Sequence, residues 1–94
     1  MTMKYRIEQT TRFRKDLRAV VKRGEDVRLL NAVVDMLAAG QPLPQRNHDH
    51  ALTGDRIGQR ECHIGPDWLL VYRIHENVLI LELLQTGTHS DLFR

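Results

Sequence analysis

The sequence predicts an α+β fold in which two helices cover one face of an antiparallel sheet. Three observations lead to this class: a short period-two segment at the start, two segments of helical periodicity after it, and strand-like runs through the second half of the chain. The predicted order of elements is β-α-α-β-β-β-β. No repeat, linker or low-complexity tract divides the 94 residues, so residues 1–94 are expected to form one domain.

The first strand and the first helix are predicted from the opening residues. Residues 5–9 alternate apolar and polar side chains, as a half-buried strand does. Thr10 or Thr11 can then cap a helix, which Gly24 ends. The apolar positions of this helix share one face: Phe13, Leu17, Val20 and Val21.

A second helix follows directly. Asp26 can cap it, and Gly40 and Pro42 terminate it. Its expected inward positions are Val27, Leu30, Val33, Val34 and Leu37. The short connection between the two helices predicts an antiparallel helical hairpin. Residues 41–49 are expected to form a loop.

The second half of the chain has the periodicity of strands. Four strand-like segments lie at residues 49–52, 59–64, 68–74 and 78–84. The third is apolar on both faces, which is typical of a central strand. Gly87 breaks the last segment, and His89 and Phe93 follow four residues apart. One helical turn after Gly87 would therefore present the imidazole and the phenyl ring together.

The composition excludes several classes of protein. Hydrophobic residues make up 41% of the chain and charged residues 28%, as in globular domains. A single cysteine, Cys62, excludes an internal disulfide framework, and no segment resembles a membrane span or a secretory signal. We therefore expect a cytoplasmic protein with no membrane association. The net charge of +2 indicates a nucleic-acid partner only where charge is concentrated locally.

The first helix carries such a concentration on its polar side. Five basic residues lie there: Arg14, Lys15, Arg18, Lys22 and Arg23. Arg12 precedes them, and Asp16 is the one acidic residue between Arg12 and Arg23. Such a face can be an ordinary solvated surface, a contact with RNA or DNA, or a contact with an acidic protein.

Histidines at the ends of predicted elements are candidates for proton transfer. His50 and His63 lie in predicted strands and His89 lies in the tail, while Asp67 could orient an imidazole or act as a base. Metal binding is the competing interpretation. The spacings of helical metal ligands are absent, although His48 and His50 form an H-x-H pair, and we expect no metal.

Two other kinds of chemistry are not supported by the sequence. Cys62 and His63 point to opposite faces of a strand, so Cys62 is expected in the core rather than as a nucleophile. No glycine motif for phosphate binding is present, and no cofactor is expected.

Three motifs occur in order along the chain: Asp49–Gly54 (DHALTG), Arg60–Tyr72 (RECHIGPDWLLVY) and Thr86–Phe93 (TGTHSDLF). Together they resemble the YafQ branch of the RelE-type toxins of bacterial type II toxin–antitoxin systems. The resemblance implies a RelE-like fold and a ribosome-dependent endoribonuclease that cuts messenger RNA in the A site without a metal. It also implies a cognate antitoxin protein in a heterotetramer or larger complex, with DNA bound only through the antitoxin.

The resemblance further implies roles by motif position. The catalytic residues would be His50, His63, Asp67 and His89. The substrate-binding residues would be Arg60, Trp68, Gln85 and Phe93. The surface that binds ribosomal RNA would be the basic face of the first helix: Arg14, Lys15, Arg18, Lys22 and Arg23.

One position departs from the family's pattern. Many members carry arginine where this chain has Gln85, and a neutral amide stabilises phosphorane-like charge less well. Either Arg60 or a nearby lysine supplies that charge, or cleavage is slower. Two alternatives are a gyrase-inhibiting toxin of the ParE type, which lacks this set of histidines, and a catalytically weak module that binds only RNA or the antitoxin.

In a metal-free cleavage the neighbouring 2′-hydroxyl would attack phosphorus, assisted by a base, an acid and cations. We expect His89 near the leaving oxygen and either His50 or Asp67 as the base. Arg60 would bind the scissile phosphate, and Phe93 would hold an adjacent base.

Overall fold

The computed structural model describes residues 2–93. Its strands are β1 (Arg6–Gln9), β2 (His50–Ala51), β3 (Arg60–Gly65), β4 (Trp68–His75) and β5 (Ile80–Gly87). Its α-helices are α1 (Thr11–Lys22), α2 (Val27–Ala38) and the short α3 (His89–Leu92), and 3-10 turns at Gln45–Asn47 and Gly54–Arg56 flank β2. The α+β class and the expected order of elements are confirmed. Among the helices of residues 2–93, none is both long enough and apolar enough to cross a membrane.

The strands form one sheet in the order β1-β5-β4-β3-β2, so the apolar strand β4 is central, as predicted. Strands β2 to β5 pair antiparallel with their neighbours. Strand β1 instead runs parallel to β5, with Arg6 opposite Ile80, so the antiparallel pairing predicted for the sheet does not extend to this edge. Alternation of apolar side chains decides which face a strand buries but not its direction, and no hairpin turn joins β1 to β5 to set it.

Both long helices begin at the predicted caps. Thr10 Oγ1 accepts a hydrogen bond from the Phe13 amide at 2.9 Å, and Asp26 Oδ1 accepts one from the Arg28 amide at 3.0 Å. Gly24 follows α1 with a φ of +88°, the left-handed conformation that commonly ends helices.

Three apolar residues lie outside the faces or elements expected for them. Val21 on α1 is 50% exposed, because α1 turns Phe13 and Val20 into the core and Val21 lies beside that stripe. Val78 and Leu79, predicted in the last strand, belong to the β4–β5 turn, where Leu79 has a φ of +54°. An apolar pattern does not mark the residue at which a hairpin turn ends.

The two faces of the sheet are covered differently. The helix side, defined as the face on which α1 and α2 pack, buries from the sheet Cys62, Ile64, Trp68, Leu70, Tyr72, Leu81 and Leu83. From the helices it buries Phe13, Val20, Leu30, Val33, Val34, Leu37 and Ala38. The opposite face, the α3 side, has a smaller cluster of Leu69, Val71 and Leu92, with Leu52 and Leu84 packed against it. The short helix α3 thus covers part of the face that the long helices leave open.

A β-bulge in β5 turns two consecutive side chains toward the α3 side. Val71 is opposite Gln85 whereas Tyr72 is opposite Leu83, which leaves Leu84 as the extra residue. Leu84 packs against the α3-side cluster. Gln85 shares the face of its cross-strand partner Val71, so it also points to the α3 side.

Candidate active site

Strand β3 turns two ionisable side chains, Glu61 and His63, to the α3 side. Glu61 is opposite Val71 and His63 is opposite Leu69, and both partners belong to the α3-side cluster. Alternation places Cys62 on the helix side, where it is fully buried. Burial raises the pKa of the Cys62 thiol to about 12, so the thiol stays protonated and is not a nucleophile.

His50 on β2 lies next to Glu61 with its tautomer fixed. The two residues are register partners, and His50 Nε2 is 3.6 Å from Glu61 Oε1. His50 Nδ1 lies 2.7 Å from the His48 carbonyl oxygen, which can only accept, so Nδ1 carries the hydrogen. In the neutral ring Nε2 therefore has the free lone pair and can take a proton, and the Glu61 carboxylate would stabilise the resulting cation.

His89 at the start of α3 is oriented by Asp67. Asp67 Oδ1 accepts hydrogen bonds from the His89 amide at 3.0 Å and from His89 Nδ1 at 2.8 Å. These bonds, the backbone bond first, lower the pKa of the Asp67 carboxyl below its usual value. His89 Nε2 takes part in neither bond and is available to donate or accept a proton. Of the two roles that the sequence left open for Asp67, the geometry favours orienting an imidazole.

Helix α3 is held by a capping box and by α1. Thr88 Oγ1 accepts from the Asp91 amide at 3.1 Å, and Asp91 Oδ2 accepts from the Thr88 amide at 3.0 Å. Arg23 Nη1 donates to Asp91 Oδ2 at 2.8 Å, and this bond together with those from Thr88 lowers the pKa of Asp91 to about 2. Gly87 has a φ of +152°, and a Cβ there would lie 2.8 Å from Asp91 Oδ2. The close approach of the cap to the strand therefore requires glycine.

The histidines predicted from separate parts of the chain meet on the α3 side. The ring centres of His63 and His89 are 5.9 Å apart, and those of His89 and Phe93 are 6.5 Å apart. His48, which the sequence places only in the loop, has its ring 5.2 Å from that of His63. The helical turn predicted after Gly87 is present, since the Phe93 amide donates to the His89 carbonyl at 2.9 Å. We call His48, His50, Glu61, His63, Asp67 and His89 the histidine cluster.

Three members of the histidine cluster form a set that sequence spacing did not reveal. One potential ligand atom from each of Glu61, His63 and His89 lies within 4.8 Å of the others. Two imidazole nitrogens and a carboxylate suit a transition metal, and rules for helical spacing do not detect a set shared by β3 and α3. Glu61 was not among the predicted site residues, although its position two residues before His63 puts both on one strand face.

Arg56 brings a cation to the Phe93 end of the α3 side. Its Nη1 donates to Gln85 Oε1 at 2.8 Å, and its Nη2 donates to the Leu92 carbonyl at 3.1 Å. Its guanidinium carbon lies 4.7 Å from the centre of the Phe93 ring. No sequence signal marks Arg56, because it lies in a 3-10 turn without periodicity and meets Gln85 across 29 residues of chain.

Two expected substrate-binding residues do not reach the histidine cluster. Arg60 is opposite Tyr72 on the helix side, and its Nη2 is 3.3 Å from Asp49 Oδ2. Trp68 is 2% exposed in the helix-side core, and its Nε1 donates to Thr86 Oγ1 at 2.9 Å. Strand alternation turns both side chains to the face on which α1 and α2 pack. The cluster is therefore assembled without them.

The basic face of α1 is only partly free to bind a partner. Four of its cations are exposed and form no ion pair among residues 2–93: Arg14, Lys15, Arg18 and Lys22. Arg23, predicted with them, is tied to Asp91 at 2.8 Å, and Arg12 is tied to Asp16 at 2.8 Å. Arg23 thus anchors α3 as well as contributing positive charge.

Comparison with known sequences identifies the family. A family described as "Bacterial toxin of type II toxin-antitoxin system, YafQ" matches residues 5–94. The mRNA interferase toxin YafQ of Escherichia coli is 36% identical over 88 residues, which cover 93% of this chain and 94% of that protein. A putative toxin YafQ of Haemophilus influenzae is 32% identical over 91 residues, covering 92% of this chain and 89% of that protein.

Solved structures agree over nearly the whole length. A crystal structure of a metal-bound toxin from Helicobacter pylori is 46% identical, with a TM-score of 0.89, and the match covers 95% of this chain and 99% of that chain. The toxin–antitoxin complex DinJ-YafQ of Escherichia coli contains a chain that is 33% identical, with a TM-score of 0.88 and coverage of 98% and 100%. The chain therefore belongs to the YafQ family of bacterial toxins of type II toxin–antitoxin systems.

Proposed function

We propose that this toxin is an mRNA interferase that cuts messenger RNA in the ribosomal A site during translation, by acid–base catalysis without a metal. The observation that carries the proposal is the meeting of His63 and His89 beside Phe93, with His50 adjacent through Glu61. Family membership supports the reaction class, because the Escherichia coli relative is named an mRNA interferase.

The cleavage needs a proton acceptor for the RNA 2′-hydroxyl and a proton donor for the 5′-oxygen. His50 is the acceptor, because its Nδ1 hydrogen is bound to the His48 carbonyl and its Nε2 is free. The 2′-oxygen bonds to phosphorus, the bond from phosphorus to the 5′-oxygen breaks, and the products are a 2′,3′-cyclic phosphate and a 5′-hydroxyl. His89 Nε2 protonates the leaving 5′-oxygen, while Asp67 holds the Nδ1 hydrogen.

His63 lies between the proposed base and acid and is assigned to the phosphate itself. Its ring is 5.9 Å from that of His89, and Glu61 on the same strand face contacts His50 at 3.6 Å. As an imidazolium it would donate a hydrogen bond to a non-bridging oxygen as charge develops there. The Asn47 side chain donates to the His63 carbonyl at 2.7 Å, which anchors the strand at this point.

RNA would be bound on both sides of the sheet, by different surfaces. Phe93 is 39% exposed beside the histidine cluster and can stack on a base of the cleaved strand. The four unpaired cations of α1 belong to a helix that packs on the other face of the sheet. They are therefore assigned to ribosomal RNA, where contacts with phosphates make binding depend on salt.

A protein antitoxin is the proposed partner that silences the toxin. The Escherichia coli relative is solved in a DinJ-YafQ toxin–antitoxin complex. For this chain we propose a cognate antitoxin in a heterotetramer or larger complex, with DNA bound only through the antitoxin. The toxin, its antitoxin and the ribosome would meet in the cytoplasm.

A catalytically weak module that binds only RNA or the antitoxin is the second candidate. Gln85 favours it, because a neutral amide stabilises phosphorane-like charge less than a guanidinium does. Such a module would keep its effect on growth after both His50 and His89 are replaced, because the basic face of α1 would persist. Replacing Gln85 with Arg would raise cleavage strongly if missing charge were the cause. The gyrase-inhibiting alternative is set aside, because the matching family is YafQ.

Induced expression with mapping of messenger-RNA ends tests the proposal. The wild-type protein should create new ends at defined codon positions only while translation proceeds. His50→Ala and His89→Ala should abolish these ends and the toxicity with the circular-dichroism spectrum unchanged. His75→Ala is a matched control, because His75 lies on β4 with its Nε2 3.0 Å from Glu82 Oε1, outside the histidine cluster. Full toxicity in either site variant, or wild-type ends that persist when translation is blocked, would contradict the proposal.

A further inference from the structure

We infer that Arg56 binds a backbone phosphate of the RNA at the Phe93 end of the histidine cluster. The inference rests on the proposed function and names a residue that the motifs do not contain. It follows from the orientation of Arg60, from the partners of Arg56, and from its contact with Phe93.

The expected sources of positive charge lie on the wrong face. Cleavage of a phosphodiester develops negative charge that a nearby cation stabilises. Arg60 points to the helix side and pairs with Asp49. Of the three lysines, Lys4 lies over the ring of Tyr5, and Lys15 and Lys22 belong to α1, which packs on the helix side.

Arg56 is a half-buried cation held by neutral groups. Its guanidinium donates to Gln85 Oε1 at 2.8 Å, to the Leu92 carbonyl at 3.1 Å and to Gln59 Oε1 at 3.3 Å. Within residues 2–93 it forms no ion pair with a carboxylate. Three of its five N–H groups are used, so two are left for an anion. A guanidinium matches the geometry of phosphate oxygens better than an ammonium does.

The contact with Phe93 places this charge beside the nucleotide that the ring would bind. The guanidinium carbon is 4.7 Å from the ring centre, and the ring centre is 6.5 Å from that of His89. A nucleotide's phosphate lies one sugar away from its base. A base that stacks on Phe93 therefore brings its own phosphate within reach of Arg56 while the next phosphate approaches His89.

The turn that carries Arg56 is held in place by hydrogen bonds from the sheet. Arg73 on β4 donates to the Ile57 carbonyl at 3.2 Å and to the Gly58 carbonyl at 3.3 Å. The charge is therefore positioned before RNA binds, which lowers the entropic cost of binding. This arrangement also explains a neutral residue at Gln85, because an arginine there would put a like charge against Arg56.

Binding to an uncleavable RNA tests the inference. We would measure the affinity of a single-stranded RNA with 2′-O-methyl sugars at several salt concentrations. Arg56→Gln should weaken binding about tenfold and reduce the slope of log affinity against log salt by about 0.7. The double variant Arg56→Gln with Gln85→Arg should restore the slope, because it returns one cation to the same end of the site. Arg28→Gln, on α2 and bound to Asp26, removes the same charge elsewhere and should change neither quantity.

Two further results distinguish phosphate binding from a structural role. Arg56→Lys keeps the positive charge but loses the planar guanidinium that can donate two hydrogen bonds to a phosphate. The slope of log affinity against log salt should therefore stay the same even though affinity falls. If Arg56→Gln lowers the unfolding temperature but leaves the slope unchanged, Arg56 merely holds α3 through the Leu92 carbonyl and the inference is wrong. The inference is equally wrong if Arg56→Lys loses as much slope as Arg56→Gln. Because the RNA cannot be cleaved, these outcomes are independent of whether the toxin cuts messenger RNA in cells.

Discussion

The helix side of the sheet buries fifteen hydrophobic residues in one core, whereas the α3 side buries three, among the residues that the structure describes. The first face is built from apolar side chains at regular spacing and the second from polar side chains around a four-residue helix. Burial of apolar area is the main source of folding free energy, so most of the stability should come from the helix side. The face with the smaller core carries the histidine cluster.

Stability and chemistry can therefore be changed separately in this small protein. Replacing a buried apolar residue on the helix side should lower the free energy of unfolding. Replacing a polar residue of the histidine cluster should leave the protein folded but lower its rate of cleavage.

The largest expected effect is on folding. Leu70→Ala, at a position that is 0% exposed on the helix side, should lower the free energy of unfolding by about 2–5 kcal/mol in urea denaturation. Leu69→Ala is the matched control, since Leu69 is equally buried on the α3 side. It should cost less, because the short helix α3 can shift into the space. An equal or larger loss at Leu69 would remove the proposed difference between the faces.

The next largest effect is expected on the rate of cleavage, with no change in stability. Asp67→Asn removes the carboxylate that orients His89, from a side chain that is 61% exposed. Single-turnover cleavage on programmed ribosomes should fall about 10²-fold, with the unfolding temperature unchanged. Glu82→Gln alters the corresponding pair with His75 outside the cluster and should leave the rate unchanged. A rate for Asp67→Asn within a few-fold of wild type would contradict the orienting role.

Gly87 is a position at which stability and cleavage should change together. Gly87→Ala places a Cβ against Asp91 at a φ of +152° and should cost about 1 kcal/mol of stability or more. Because the displaced cap carries His89, the rate of cleavage should fall by more than the loss of stability alone explains. Gly24→Ala is the control, since Gly24 also has a positive φ but its Cβ would meet nothing within 4 Å. Equal losses of cleavage in the two variants would show that strain alone is responsible.

The anchor of α3 predicts a pH dependence. The pKa of Asp91 in the folded protein is about 2, below its ordinary value of 3.8. Its contribution is therefore complete above the ordinary value and is lost as pH falls toward 2. Wild type should exceed Asp91→Asn in stability by about 1 kcal/mol at neutral pH, and the difference should shrink below pH ~4. A stability difference between wild type and Asp91→Asn that grows as the pH falls would contradict this role of Asp91.

The smallest effect on folding is expected at the unpaired cations of α1. Lys15→Gln should leave the unfolding temperature unchanged, because surface positions contribute little. It should weaken co-sedimentation with ribosomes and reduce the salt dependence of that binding. Asp35→Asn, at an exposed position on α2, is a control that changes charge away from this face. Unaltered ribosome binding in Lys15→Gln would exclude Lys15 from that contact.

Periodicity predicted the helix side well, because apolar spacing encodes burial directly. The caps at Thr10 and Asp26 and the central position of β4 follow from local chemistry. The parallel pairing of β1 could not be read in this way, because strand direction depends on how the helices return the chain. The tertiary path, and not the local pattern, decides it.

The α3 side was predicted only in part. Motif positions indicated His50, His63 and His89, and the fold brings them together. The alternation that separates Cys62 from His63 also separates Arg60 from His63, so the different face of Arg60 was readable from the sequence. The role of Arg56 could not be read from the sequence. Its contact with Gln85 depends on the bulge in β5, and Arg56 itself lies in a 3-10 turn without periodicity.

The pH dependence of single-turnover cleavage on programmed ribosomes tests the central claim most directly. If His50 is the base and His89 is the acid, the wild-type rate should rise and then fall with pH. The slow residual rate of His50→Gln should lose the rise on the acid side, and that of His89→Gln should lose the fall on the alkaline side. Both limbs intact in both variants would contradict the claim that these two imidazoles move the protons.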